Sequence, residues 1–324
     1  MKFADDLRWL AKRASVEALR VLPDPLAIRI DYLRVFGRIP NLSAPRLLSE
    51  KFQHMKLHAR YAQMPVIADK VRVKEFVRQR LGPDWLIPTL WHGARVTEDI
   101  LRDVPKPAIM KANHSSAQAC FLDESTDLRK AARLANAWLR YDHHILHREW
   151  AYGKVDREVL IEPFVGEGRS PDDFKFWVFD GVVRFVQVDQ DRFHNHTRQF
   201  YTPDWKRLDF ALKYPTSREK IPAPPHLAEM LDAAHILATE FRFLRVDLYD
   251  MPRGPLFGEL TFAPEAGLCS FSPKRVDDEL GEGWSYPGPP PQRERHMQAD
   301  AVANGSIRKN AVSGNATQAG HLSS

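Results

Sequence analysis

Phe3, Leu7, Leu10, Ala14 and Ala18 recur at three- and four-residue steps with charges between them. That is the apolar stripe of an amphipathic helix, which Pro23 and Pro25 end. Residues 28–60 read as mostly helical, with a break between Pro40 and Pro45. A further helix is predicted over 68–81, with Val71, Phe76 and Val77 on its buried face and Gly82-Pro83 as its stop. Short β-rich runs follow at 86–90, 108–111, 159–162, 174–179 and 182–188. The last two are joined by Asp180-Gly181, a strong two-residue hairpin signal. Helical spacing returns over 225–240, where Leu227, Met230, Leu231, Ala234 and Leu237 make one face. The runs 241–249 and 256–262 then form a strand pair around Met251-Pro252-Arg253-Gly254-Pro255. Helices followed by mixed strands with interspersed helices define the α+β class.

From Pro287 the pattern stops. Three consecutive prolines, Pro289 to Pro291, lead into Ala, Asn, Gly, Ser and Gln with no aromatic residue to the end. Such a stretch cannot bury enough surface to offset its chain entropy, so 287–324 is expected to be a disordered tail. The expected organisation is an N-terminal helical region over 1–67, a main domain over 68–286 and that tail.

Composition changes the picture little. The chain has 324 residues, 44% hydrophobic and 27% charged, so a sizeable core is available and collagen, coiled-coil and disordered classes are excluded. The net charge of +5 sits at the ends: +3 within residues 1–40 and +2 within 287–324, leaving the body neutral. A nucleic-acid protein concentrates its basic groups on a folded face, so no nucleic-acid partner is expected. No run approaches the ~20 apolar residues of a membrane-spanning helix. Cys120 and Cys269 give neither metal spacing nor a disulfide framework, and a cytoplasmic setting is expected. Residues 1–20 either pack on the domain or, through their basic amphipathic face, touch an anionic membrane surface.

The strongest chemical signal is the last strand pair. A hairpin centred on Arg253 places Asp247 opposite Glu259 and Arg245 opposite Thr261, with all four on one face. Facing carboxylates repel unless a cation lies between them, and hard oxygen donors suit Mg²⁺. Apolar neighbours Phe243, Leu244, Val246, Leu248, Leu260 and Phe262 argue against idle surface acids. Lys111 closes a strand and leads into Ala112-Asn113-His114-Ser115-Ser116-Ala117, a small polar loop suited to cradling phosphate. The polar stretch 187–198 is read as a substrate- or phosphate-contacting loop, with Arg192 and Arg198 as anion partners. Glu162-Pro163-Phe164-Val165, leaving a strand, is a candidate hinge offering backbone contacts to a base.

Taken in order, these segments resemble the ATP-grasp superfamily, and within it the TupA-like branch named for a teichuronopeptide biosynthesis protein. The resemblance runs from about Asp31 to Trp284. It rests on Phe36-Gly37, Pro45-Arg46 and Glu50-Lys51; Ala68-Asp69-Lys70; Lys111 to Ser115; Leu160 to Phe164; Asp173-Phe174-Lys175-Phe176; Gln187-Val188-Asp189 with Asp191-Arg192; Asp204-Trp205; Arg245 to Tyr249; and Gly258 to Phe262.

The resemblance implies ATP held between two α+β lobes behind a helical N-terminal region. Lys70 and Lys111 match the phosphate-contacting lysines, with Ser115 in the phosphate loop. Glu162, Phe164 and Val165 match the adenine hinge, and Asp173 the ribose contact. Asp247 and Glu259 match the Mg²⁺ carboxylates, and Arg245 the arginine that stabilises a phosphorylated intermediate. Two positions depart from the pattern: Thr261 stands where a third metal ligand, Asn, is common, and Ser115, Ser116 and Ala117 stand where glycines are usual. The implied activity is an ATP- and Mg-dependent carboxylate–amine ligase of cell-surface polysaccharide or glycopeptide biosynthesis, joining a small-molecule or glycan carboxylate to an amine. The alternatives are an ATP-dependent glycan kinase and a non-catalytic nucleotide-binding partner of a polysaccharide assembly machine. Removal of residues 287–324 is expected to leave the melting temperature nearly unchanged in a thermal melt; a large drop would show that the tail docks.

Overall fold

The computed structural model describes residues 21–116, 118–166, 170–192, 195–217 and 219–288. The first predicted helix, the tail beyond Gly288, Ala117 and His194 lie outside the described residues. The described chain belongs to one compact unit ending at Gly288.

Its centre is β5 (Asp173–Phe179), buried at every position. β5 lies between β10 (Phe243–Met251) and β6 (Val182–Gln190) in a six-stranded antiparallel sheet. That sheet continues through β11 (Gly254–Thr261) on one side and β7 (Thr197–Tyr201) and β8 (Arg207–Leu208) on the other, and β9 (Ala211–Leu212) pairs separately with β12 (Phe271–Ser272). Alternation along β5 and β10 gives one wholly apolar row, with Phe174, Phe176, Leu244, Val246 and Leu248. The opposite row changes character along its length. Trp177 and Phe243 make its apolar end, packed against Phe52 and, for Phe243, Trp284. Asp173, Lys175, Arg245 and Asp247 make its charged end.

A second, four-stranded antiparallel sheet has the order β1-β4-β2-β3, where β1 is Trp91–Gly93, β2 Ala108–Ala112, β3 Ala119–Leu122 and β4 Val159–Pro163. The helices Glu98–Asp103 and Leu128–Trp138 complete this lobe around its own apolar cluster. Thr97 and Asp127 start them by accepting the amides of Ile100 and Lys130. The helix Leu48–His58 belongs to the larger lobe, and its long polar side chains bind carbonyls far away in sequence. Lys51 donates to Gly281 and Trp284, Gln53 to Ala266 and Gly267, and Lys56 to His147 and Ala266.

Several expectations need correction. The run 86–90 is not a strand: Pro88 lacks an N–H, and pairing with β4 begins only at Leu90, whose amide donates to Ile161. The predicted helix 68–81 is broken into Met64–Ala68 and Val73–Leu81. Asp69 breaks it by accepting the amides of Val71 and Arg72, a local competitor to helix bonds. The stretch 187–198 is not a loop throughout, because β6 extends to Gln190 and β7 begins at Thr197. Its polarity misled: Gln187, Asp189 and Arg198 are buried and bonded to one another or to Trp177. The described chain runs two residues past 286, with Arg242 donating to the Gly288 carbonyl. Among the described residues no helix is long and apolar enough to cross a membrane.

Phe52 touches Trp177, Phe243 and Trp284 at once. Phe52→Ala is expected to cost about 3–5 kcal/mol in equilibrium denaturant unfolding.

Candidate active site

The hairpin β10–β11 carries the acidic pair. Arg245 faces Thr261 and Asp247 faces Glu259, as the sequence predicts. The hairpin centre does not: Met251 pairs with Gly254, so the turn is Pro252-Arg253, and the register shifts beyond Asp247. Gly258 is the extra residue of this bulge, and a Cβ there would lie 3.1 Å from the Asp247 carbonyl.

Charges surround the pair. Asp247 accepts from Arg245 through both oxygens, each at 2.7 Å, and from Lys175 Nζ at 2.6 Å. Burial pushes the Asp247 carboxyl up, against the pull of Arg245 and Lys175. Lys175 also donates to Asp173 at 2.5 Å, and Arg192 reaches the same Asp173 oxygen at 2.7 Å. The other oxygen, Asp173 Oδ1, is buried without a partner. Glu259, only partly buried, pairs with Lys70 at 3.0 Å. The Arg245 Nη2 that binds Asp247 also donates to Thr261 at 3.1 Å.

The Lys70 ammonium also donates to the Ser115 carbonyl at 2.6 Å, so it links the phosphate-type loop to the acid pair. Lys70 stands on the Asp69–Arg72 turn and not on a helix. Asn113 braces this arrangement: its amide group donates to Asp69 and the Asp156 carbonyl, and its side-chain oxygen accepts from Glu158 N. Lys111 projects from β2 to Glu162 on β4 at 2.8 Å, and Lys74 reaches the other Glu162 oxygen at 2.5 Å. Burial raises the Glu162 carboxyl, but Lys111 and Lys74 outweigh it and hold it below its ordinary value. The Glu162 side chain therefore orients lysines. Of the hinge residues, Phe164 has its amide committed to the Pro107 carbonyl at 3.0 Å, so it offers its ring as a wall and not a backbone donor.

Two cavities meet here. A cleft of about 340 Å³ takes in Lys70, Lys74, Lys111, Ser115, Glu162, Phe164, Val165, Asp173, Asp247 and Glu259. A chamber of about 290 Å³ lies beside it, walled by Lys175, Arg245, Thr261, Arg198, Lys213 and Glu265 among others. Ser116, Arg192, His196, Tyr214 and Glu259 line both. The sequence-derived set is thus distributed over one double cavity. Arg198 is not a free anion partner, because Asp189 takes it at 2.6 and 2.9 Å. Burial works against ionising Asp189, but contacts from His196 and Arg198 drive its carboxyl far below the usual range.

Lys74, Lys175, Lys213 and Glu265 were missed. Lys175 had a signal, since it shares a strand face with Asp173 two residues away. Glu265 had none: it sits in the turn Pro264–Gly267, where Glu265, Ala266 and Gly267 all have positive φ. Its carboxylate accepts from Lys213 at 2.6 Å and lies 3.5 Å from Arg198.

A cleft between two α+β lobes that gathers lysines and a facing acid pair is the arrangement of an ATP-grasp fold. A family model described as TupA-like ATP-grasp matches residues 50–285, and the chain belongs to that family. Among solved structures it is similar to D-alanine–D-alanine ligase from Bacillus anthracis complexed with ATP, at 16% identity, 61% coverage of this chain, 54% of that one and TM-score 0.38. A second structure of that ligase gives 17%, 77%, 70% and 0.42. L-amino acid ligase from Bacillus licheniformis gives 13%, 79%, 56% and 0.39. The chain thus spans little more than half the length of several ligases it matches. No curated protein matches the sequence.

Glu162 supplies a pH test. Its folded carboxyl holds a proton less tightly than the unfolded one, so acid favours the unfolded chain. Its stabilising contribution is complete above the ordinary value of 4.5 and is lost as pH falls through the lower folded value. The stability gap between wild type and Glu162→Gln is expected to be constant near neutrality and to shrink below pH 4.5, measured by urea unfolding at several pH values.

Proposed function

We propose that the protein is an ATP- and Mg-dependent carboxylate–amine ligase. The observation that carries this reading is the Asp247–Glu259 pair, held face to face where the two cavities join, with Lys70 and Lys175 beside it. The donor set fits a divalent cation. Asp247 and Glu259 are hard oxygen donors, and the unpartnered Asp173 Oδ1 lies on the neighbouring strand. Asp247 and Glu259 would hold such an ion together with phosphate oxygens and water, the usual habit of Mg²⁺. When bound there, Mg²⁺ supplies positive charge to the phosphates.

The chain's own residues do the positioning. Lys111, fixed by Glu162, and Lys70, fixed by the Ser115 carbonyl, bind phosphate oxygens in the cleft. Val165 and the Phe164 ring flank the base, and Asp173 holds the ribose. The substrate carboxylate sits in the chamber within reach of Arg245. Its oxygen attacks the γ-phosphorus, the bond to the ADP oxygen breaks, and Arg245 offsets the charge of the acyl phosphate. An amine then attacks the acyl carbon and phosphate leaves. Catalysis of this kind is mostly positioning and charge stabilisation. Family membership supports a carboxylate of the uronate or glycopeptide type from a cell-surface polymer.

The test is ADP release with a panel of uronates and amino acids as paired carboxylate and amine. Release that needs both partners supports the ligase. Phosphate retained on a sugar hydroxyl without an amine indicates a kinase, and no release at all indicates a non-catalytic binder. Glu259→Gln is expected to lower turnover about 10²–10³-fold or more with the fold intact. In a thermal-shift assay, Mg-ATP is expected to raise the melting temperature of wild type and to lose that effect in Asp247→Asn.

A further inference from the structure

The chamber holds a histidine that the chemistry above leaves unused. His143 opens the short helix His143–His147, is only 4% exposed and lines the chamber. Its Nε2 lies 3.7 Å from Glu149 Oε1. Its Nδ1 is buried with no hydrogen-bond partner. A buried imidazole nitrogen left bare is uncommon, because buried polar atoms are normally bonded.

The surroundings fix this ring. His147 packs over it at 4.6 Å between centroids, and Tyr152 meets it edge-on at 4.6 Å. Arg148 takes a left-handed conformation, φ 56, which is costly outside glycine and turns Glu149 back toward His143. Lys56 then ties the His147 carbonyl to the Ala266 carbonyl, at 2.9 Å each, so two chamber walls share one buried ammonium. Trp150 donates to the Ala59 carbonyl at 2.9 Å and anchors the next turn. The titratable groups around His143 are Tyr141 and His147 along its own segment, Glu149 and Tyr152 from the following turn, and His114 from the phosphate-type loop. Arg245 and Glu259 line the same chamber.

We propose that His143 accepts a proton from the amine substrate and that Glu149 is the positioning residue that prepares it; this rests on the ligase reading. At neutral pH an aliphatic amine arrives as R–NH3⁺, with no lone pair to attack. Transfer of one N–H proton to His143 Nδ1 frees the pair, which bonds to the acyl carbon. The carbon–oxygen bond to the phosphoryl group then breaks. The departing phosphate takes the second N–H proton, leaving amide and HPO4²⁻, and His143 returns its proton to water. Glu149 favours the tautomer with the proton on Nε2, which leaves the Nδ1 lone pair open, and it steadies the imidazolium that forms. A separation of 3.7 Å is the loose spacing common before substrate binds.

Hydroxylamine separates this step from those before it, because it is largely uncharged at neutral pH and needs no base. His143→Gln and Glu149→Gln would be assayed with the carboxylate that supports wild-type ADP release. Hydroxamate formation is expected to stay within about threefold of wild type, while amide formation at pH 7 falls about 10²–10⁴-fold in His143→Gln. That deficit should narrow as pH rises, and Glu149→Asp should recover part of the activity. Equal loss with both nucleophiles, or no loss with either, would overturn the proposal. A second measurement needs no substrate. Under conditions where the ring is neutral, NMR of ¹⁵N-histidine-labelled wild type should show the single ring proton of His143 on Nε2, and that proton on Nδ1 would overturn the assignment. If wild type releases no ADP with any pair, the ligase reading fails, while the tautomer still decides the state of His143.

Discussion

A carboxylate removed from water must be met by fixed positive charge, and Asp247 imposes that requirement on the whole sheet. Its oxygens accept from Arg245 and Lys175, and Lys175 in turn needs Asp173, which also takes Arg192. Two strands away, Asp189 is held by Arg198 and Gln187. All of these groups but Arg192 lie on β5, β6, β7 and β10, so strand register and charge balance specify each other. Breaking one partner of such a lattice strands the other, which is far costlier than the net worth of the pair. The apolar row on the reverse of β5 and β10 secures the register from behind.

The same lattice explains how much could be read from sequence. Strand positions with an apolar row, such as 174–179 and 241–249, declared themselves as short β-rich runs. Asp247 and Glu259 were correctly opposed for a partly wrong reason: the hairpin centre was misplaced, and the Gly258 bulge restored the pairing. Where charges satisfy charges inside the protein, alternation reads as a polar loop, and so β7 went unseen with Arg198 in it. The 108–111 and 159–162 strands were legible, but β3 and its neighbouring helices carry weaker patterns and depend on packing for their form. Glu265 and Glu149 are brought to the chamber by left-handed turns at 265–267 and 148, which have no glycine at 265, 266 or 148 to announce them.

The helix Leu48–His58 ties distant parts of the chain to one rigid element. Lys51, Gln53 and Lys56 hold carbonyls of three separate segments, and two of the residues held, His147 and Ala266, line the chamber. Phe52, pointing between these polar arms, packs into the main aromatic core. One short helix therefore couples the large sheet to the chamber.

Gly258 has a further consequence, one of parity. Between Asp247 and Glu259 the chain spends an odd number of residues, an even hairpin plus one bulged glycine. A one-residue change within the paired part of the arm would slip Glu259 off Asp247 and turn it to the opposite side of the sheet unless a bulge or a longer turn absorbed it. The glycine bulge is such an absorber, and it keeps the two acids aligned although the arm is odd in length.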